Sequence, residues 1–235
     1  MDAKTNSLHI LRYVSEFQTK AQNIKRFEGN PYVNGDNIAE HLSRLARLLI
    51  SIAPQLKAEF HNEGDLIEKV LVTLLVHDDD EVIEGFDIPT AMKTHNAKDE
   101  DEIAKFAQSV SSLGDAGKEY LVPLFTSFRK KDTLAAKIAK ALDNIAGNQL
   151  VVEQEVGLIN PDQARFAIDY AEKVRGISNT TDALVDAQIS QIVEYRKRAL
   201  NNLKALPDNA ERLLKIDILD HILDKSKINL PLEQL

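Results

Sequence analysis

The chain has no cysteine among its 235 residues. That excludes disulfides, a thiolate nucleophile and Cys-ligated zinc, so any metal site must be built from His, Asp and Glu. Positive charge is also scarce. Lys and Arg number 29 against 37 Asp and Glu, for a formal net charge of -8. A general grip on a nucleic-acid polymer needs a basic face, so that partner class is not expected. A local basic pocket for a small phosphate is compatible with the same balance. No apolar run approaches the ~20 residues that span a bilayer, so no membrane partner is expected either. The opening "MDAKTNSLHILRY" has no basic region followed by an apolar core, unlike a secretory signal. The expected location is the cytoplasm. Repeats and low-complexity linkers are absent too.

What the sequence does contain is helical periodicity. Hydrophobic residues at 43% and charged residues at 28% are those of a globular protein, and the length suits one large domain or a domain with an appendage. In "NIAEHLSRLARLLISIA", Ile38, Leu42, Leu45, Leu49 and Ile52 recur at spacings of three and four, one buried stripe. Asn37 is a good N-cap, Glu40 completes a capping box, and Pro54 marks the predicted end. "DLIEKVLVTLLVHD" repeats the design, with Asp65 as cap, Glu68 closing the box, and Leu66, Ile67, Val70, Leu71, Leu74 and Leu75 pointing inward.

Further helices are predicted over "DEDEIAKFAQSVSSL", over "GKEYLVPLFTSF" with a bend at Pro123, and over "DTLAAKIAKALDNIAG" ending near Gly147. "QLVVEQEV" is the one stretch that reads as a short strand. Asn160 and Pro161 open another helix, and two more follow at about 182–205 and 209–224. The fold class is therefore all-α: a helical bundle of residues 1–180 with a C-terminal helical extension of 181–235 packed on it.

The densest acid lies in "LLVHDDDEVIEGFDIPT", where Asp78, Asp79, Asp80, Glu81, Glu84 and Asp87 follow an apolar helix with no basic residue among them. Helix C-termini favour cations, so this placement calls for a counter-charge. Most histidines are unremarkable; His9, His61 and His221 have no partner pattern. His41, four residues past a helix N-cap, and His77, at a helix end beside Asp78, differ. Antiparallel packing of their helices would bring them together, giving donors of the type that Zn, Mn, Fe or Co favour. Asp143 interrupts the apolar series Ile138, Leu142 and Ile145. Periodicity leaves two readings of it open: a fourth ligand, or an acid at the edge of the stripe. Asp79, Asp80 and Glu84 are expected to face solvent, "KDEDE" at 98–102 to start a helix, and "FRKKD" around Arg129 to form a solvated turn.

The ordered set of "AEH", "LLVHDDDEVIEGFDIPTAMK" and "AKALDNIAG" resembles the HD-domain superfamily of metal-dependent phosphohydrolases, and within it the small 5′-deoxynucleotidase branch. The branch's early Arg-aromatic pair matches Arg26–Phe27, and its A-E-H matches His41. Its H-D-x-x-E matches His77, Asp78 and Glu81, and its G-D-x-P-T with a following Lys matches Asp87, Thr90 and Lys93. Its late Asp matches Asp143. The match covers roughly residues 20–150. The chain departs by inserting Phe86 between Gly85 and Asp87, and by placing Phe27 where relatives often carry Trp.

The resemblance implies an all-α HD-domain bundle holding one divalent metal ion (Mn, Co, Zn, Fe or Mg) on His41, His77, Asp78 and Asp143. It assigns Glu81 to handling the attacking water, and Arg26, with Lys93 as a second candidate, to the phosphate. Asp87 would accept from the sugar 3′-hydroxyl, Phe27 would crowd the 2′ position, and Thr90 joins the substrate-binding set. The implied reaction is hydrolysis of a deoxynucleoside 5′-monophosphate to nucleoside and phosphate, by a homodimer. Two other readings share the fold: a dNTP triphosphohydrolase of the small HD type, and a non-catalytic nucleotide-binding or assembly module.

Overall fold

A computed structural model describes residues 3–28, 33–87, 97–154 and 161–204. Every regular element among them is a helix: α1 (Ala3–Asn23), α2 (Ile38–Glu59), α3 (Leu66–Val76), α4 (Asp79–Glu84), α5 (Ala97–Ser109), a 3-10 turn (Val110–Leu113), α6 (Gly114–Lys130), α7 (Leu134–Glu153), α8 (Pro161–Glu172) and α9 (Asn179–Lys204). Among the described residues no strand forms, and one isolated antiparallel bridge joins Lys25 to Asn37. The fold is all-α, as predicted. No described helix is long and apolar enough to cross a membrane.

The chain divides into two compact units, Met1–Asn30 with Asn34–Ala146, and Pro31–Val33 with Gly147–Leu235. In the first, α2 packs on α1 and α3, α6 packs on α3 and α5, and α4 packs on α5 and α1. In the second, Val152, Ala164, Ala167 and Ile192 form the centre of a small core, and α8 lies against α9. The extension predicted from 181 begins inside α9, and the helix predicted at 209–224 lies outside the described residues, as does Asn160.

The α2 stripe is as read, with Ile38, Leu42, Leu45, Leu49, Ile52 and Leu56 buried, and His41 buried among them. The Asn37–Glu40 box is formed reciprocally, at 2.9 and 3.1 Å. Pro54, however, does not end the helix, which runs on to Glu59. Pro54 is exposed, so the hydrogen bond it removes lies on the solvent side, where water can serve the carbonyl of Ile50. The second predicted box is absent. Asp65 precedes α3 without capping it and pairs instead with Lys69 at 2.8 Å. Leu75 turns outward from α3.

Two further differences have clear causes. The predicted strand at 149–156 is the last part of α7 as far as Glu153, so that helix does not stop near Gly147. Val151 and Val152 give the segment strand-like composition, but its side chains pack in the second unit's helical core, and such contacts override local propensity. At the other end, no helix is predicted over 3–23, where the structure has α1. Its inward stripe of Tyr13, Phe17 and Ala21 is thin and interleaved with Ser, Thr and Gln, a weak periodic signal.

Candidate metal centre

The helix α3 stops at Val76, His77 caps it, and Asp78 starts the short helix α4. This break points both side chains into the interior of the first unit. His41 comes from the first turns of α2 and Asp143 from the middle of α7. His41, His77 and Asp143 each offer a donor atom within 4.8 Å of the others, and all three are buried. Asp143 Oδ1 lies 3.2 Å from His41 Nε2 and 3.5 Å from His77 Nε2. Asp78 joins them, with Oδ1 at 3.1 Å from His77 Nε2 and Oδ2 at 3.9 Å from His41 Nε2. Asp143 sits buried with the histidines, not at a solvent edge.

Outer contacts aim these groups. His77 Nδ1 donates to the carbonyl of Leu74 at 2.8 Å, which leaves Nε2 facing the acids. The Phe128 ring stands edge-on to His77, with centroids 5.2 Å apart. Lys140 donates to Asp143 Oδ2 at 2.7 Å from one turn earlier on α7, leaving Oδ1 toward the histidines. That i, i+3 spacing is visible in the sequence.

The charges follow from this packing. Burial alone would strip the proton from His77, but Asp78 and Asp143 overcome it and push the imidazole up to about 10. Burial also opposes ionising Asp143, yet Lys140 and His77 hold its carboxyl well below the usual range. Asp78 is likewise held low against burial, by His77. His41 is held neutral by burial and by the charge of Arg26. The two carboxylates are thus balanced by a protonated His77 and by Lys140.

The donor set fits a divalent cation. Imidazole nitrogens and carboxylate oxygens suit Mn, Co, Zn, Fe and Mg without choosing among them. Two ligands at about 2.1 Å from one ion stand about 3.0–3.4 Å apart, and the donor separations of 3.1–3.9 Å overlap that span and run somewhat beyond it. Asp78 Oδ2 is buried with no hydrogen-bond partner, a costly state that an ion at the cluster would relieve.

The remaining predicted residues are placed as follows. Glu81 is buried in the first turn of α4, three residues after Asp78. Arg26 is mostly buried, 3.8 Å from Asp36; burial works against its charge, while Asp78, Asp143, Asp36 and Asp87 favour it. Its Nη1 has no hydrogen-bond partner. Phe27 adopts a positive φ of 58° and its N–H donates to Asp87 Oδ2 at 3.0 Å. The Phe86 insertion is therefore taken up at the surface, where Phe86 is exposed after the left-handed cap Gly85, and Asp87 still reaches the Arg26–Phe27 corner. Thr90 and Lys93 lie outside the described residues.

Three expectations about neighbouring charges are corrected. Asp79 and Asp80 do not face solvent; both are buried. Asp79 accepts from Tyr13 Oη at 2.9 Å, and burial pushes its carboxyl up to about 8. Asp80 pairs with Arg129, which is therefore no part of a solvated turn. No local pattern announces these partners, because Tyr13 and Arg129 lie roughly fifty or more residues away. Glu84 does meet the surface, in a pair with Lys105 at 2.8 Å.

Fold and site together define an all-α protein whose buried centre is built for a divalent cation. The chain belongs to the HD domain family, whose model matches residues 19–184. A solved structure of a predicted metal-dependent phosphohydrolase from Magnetospirillum magnetotacticum MS-1 superposes with a TM-score of 0.59 at 21% identity, over 81% of this chain and 94% of that one. No curated protein matches.

Proposed function

We propose that the protein is a metal-dependent phosphohydrolase acting on deoxynucleoside 5′-monophosphates, releasing nucleoside and inorganic phosphate. The observation that carries this reading is the meeting of His41, His77, Asp78 and Asp143 around buried, unpartnered donor atoms, with the guanidinium of Arg26 within their field. Those four residues hold the ion. Bound there, a divalent cation supplies Lewis acidity toward a phosphoryl oxygen and makes a water molecule more acidic. Arg26 holds the phosphate through the guanidinium edge that Asp36 does not take up. Glu81 takes a proton from the attacking water and returns one to the leaving sugar oxygen.

Asp87 keeps one carboxylate oxygen for the Phe27 N–H and offers the other to the sugar hydroxyl. Phe27, held in its unusual backbone conformation, lies beside Arg26, where it restricts the 2′ position; Thr90 and Lys93 complete the substrate side. Homodimerisation and a cytoplasmic location belong to the same proposal.

The test is direct. Purified protein loaded with Mn or Co is incubated with panels of dNMPs and dNTPs. Inorganic phosphate released from dNMPs supports the reading. Tripolyphosphate from a dNTP would replace it with the triphosphohydrolase reading. A shift in melting temperature with a nucleotide but no turnover would make the protein a binding module. Glu81→Gln should lose at least about 100-fold in kcat with parental metal content.

A further inference from the structure

Arg129 is buried against two carboxylates in the first unit, and the phosphohydrolase reading gives it no task. It stands in the last turn of α6 with a side chain only 10% exposed. Its guanidinium reaches three groups at once: the Asp80 carboxylate, Glu102 Oε2 at 3.3 Å, and the backbone carbonyl of His77 at 3.4 Å. Asp80 and Glu102 are themselves 1% and 3% exposed. The plane lies over Phe125 at 4.9 Å and near Phe128 at 5.9 Å. Phe128, the preceding residue, packs against the His77 ring.

Burying one cation with two anions is a poor way to gain stability, since desolvation offsets most of the attraction. What the arrangement supplies is position. The ligands His77 and Asp78 sit on a helix break, where no continuous ladder of backbone bonds fixes them. Arg129 grips the chain on both sides of that break, at the His77 carbonyl before it and at Asp80 after it. Only a planar fork with several donors can hold both and still reach Glu102 on α5; a point charge cannot.

We infer that Arg129, with Asp80 and Glu102, is the positioning device of the metal centre, holding the His77–Asp78 break in the geometry that the ion requires. This rests on the metal-site reading above. The test uses cobalt(II) binding followed by calorimetry and by visible absorption, which reports ligand geometry without any need for turnover. Arg129→Lys keeps the charge and loses the fork. The triple change Asp80→Asn, Glu102→Gln, Arg129→Met removes all three buried charges together. Leu56→Ala is the stability control; it cuts the same core about four helical turns along α2 from His41.

Both Arg129 variants should keep parental helical content, bind cobalt about 10- to 100-fold more weakly, and show altered visible bands. Leu56→Ala should melt lower while keeping parental affinity and spectrum. Parental affinity and spectrum in either folded Arg129 variant would overturn the inference. So would an equal loss of affinity in Leu56→Ala, and so would failure of both Arg129 variants to fold, which would make Arg129 a folding residue only. If the parent protein takes up no cobalt, the metal-site reading itself fails and this inference with it.

Discussion

Gly35 shows how a single residue can govern a charged one without touching it through a side chain. A Cβ built on Gly35 would lie 1.5 Å from the backbone carbonyl oxygen of Arg26. The two segments run together here, with Arg26 N–H donating to the Asp36 carbonyl at 2.8 Å and Ile38 N–H to that of Ile24 at 3.1 Å. Gly35→Ala must therefore push the Arg26–Phe27 corner away. The phosphate grip proposed for Arg26 should weaken by the value of one charge-assisted hydrogen bond, about 1.5–3 kcal/mol, or roughly 10- to 100-fold in KM or in inhibition by inorganic phosphate. The proposed metal ligands lie on other elements, so metal content should stay parental. An unchanged KM would show that Arg26 does not meet the phosphate. Nothing in the sequence singles out Gly35, because a close backbone approach is a property of two segments and leaves no local pattern.

Elements were legible where their own periodicity decides their fate. The α2 stripe and its capping box could be read from Asn37, Glu40 and the spacing of Ile38, Leu42, Leu45 and Leu49, and all are found. Legibility fails where a distant partner decides. The α7 terminus, strand-like in composition, is helical because of the core it joins, and the acids of α4 are buried because Tyr13 and Arg129 await them. The acids at the start of α4 stand at a helix N-terminus, where the macrodipole favours those that stay ionised, such as Asp78, rather than only at the C-terminus of α3. Asp79, pushed up by burial, is no part of that charge. The α2 cap matters for the site because His41 stands one turn inside it. Asn37→Ala should remove about 1 kcal/mol of stability. For a chain of this size that is about 2–4 °C in melting temperature, with Asn37→Asp close to parental. A melting curve of the Ala variant that overlays the parent would deny the cap its role.

At the scale of the molecule, the four proposed ligands tie together segments that are far apart in the chain. His41 and Asp143 are separated by 102 positions and meet at 3.2 Å. Such contacts close long loops, and their entropy cost is set against whatever holds the ends together. Without an ion, the centre buries two carboxylates and two imidazoles, with Asp78 Oδ2 left without a hydrogen-bond partner. Such an atom costs the folded state about 1–3 kcal/mol. A cation that binds only the folded chain removes that cost and adds its own binding energy, about 2.7 kcal/mol at a free concentration one hundred times its Kd. Chelation should therefore lower the melting temperature by about 5–10 °C, and returning Mn or Co should restore it. The same cycle applied to His77→Ala or Asp78→Ala should show little or no shift, because neither variant retains the ion. A parent protein that melts identically with and without chelator, after its metal content has been shown to change, would mean that the ion does not hold these helices together.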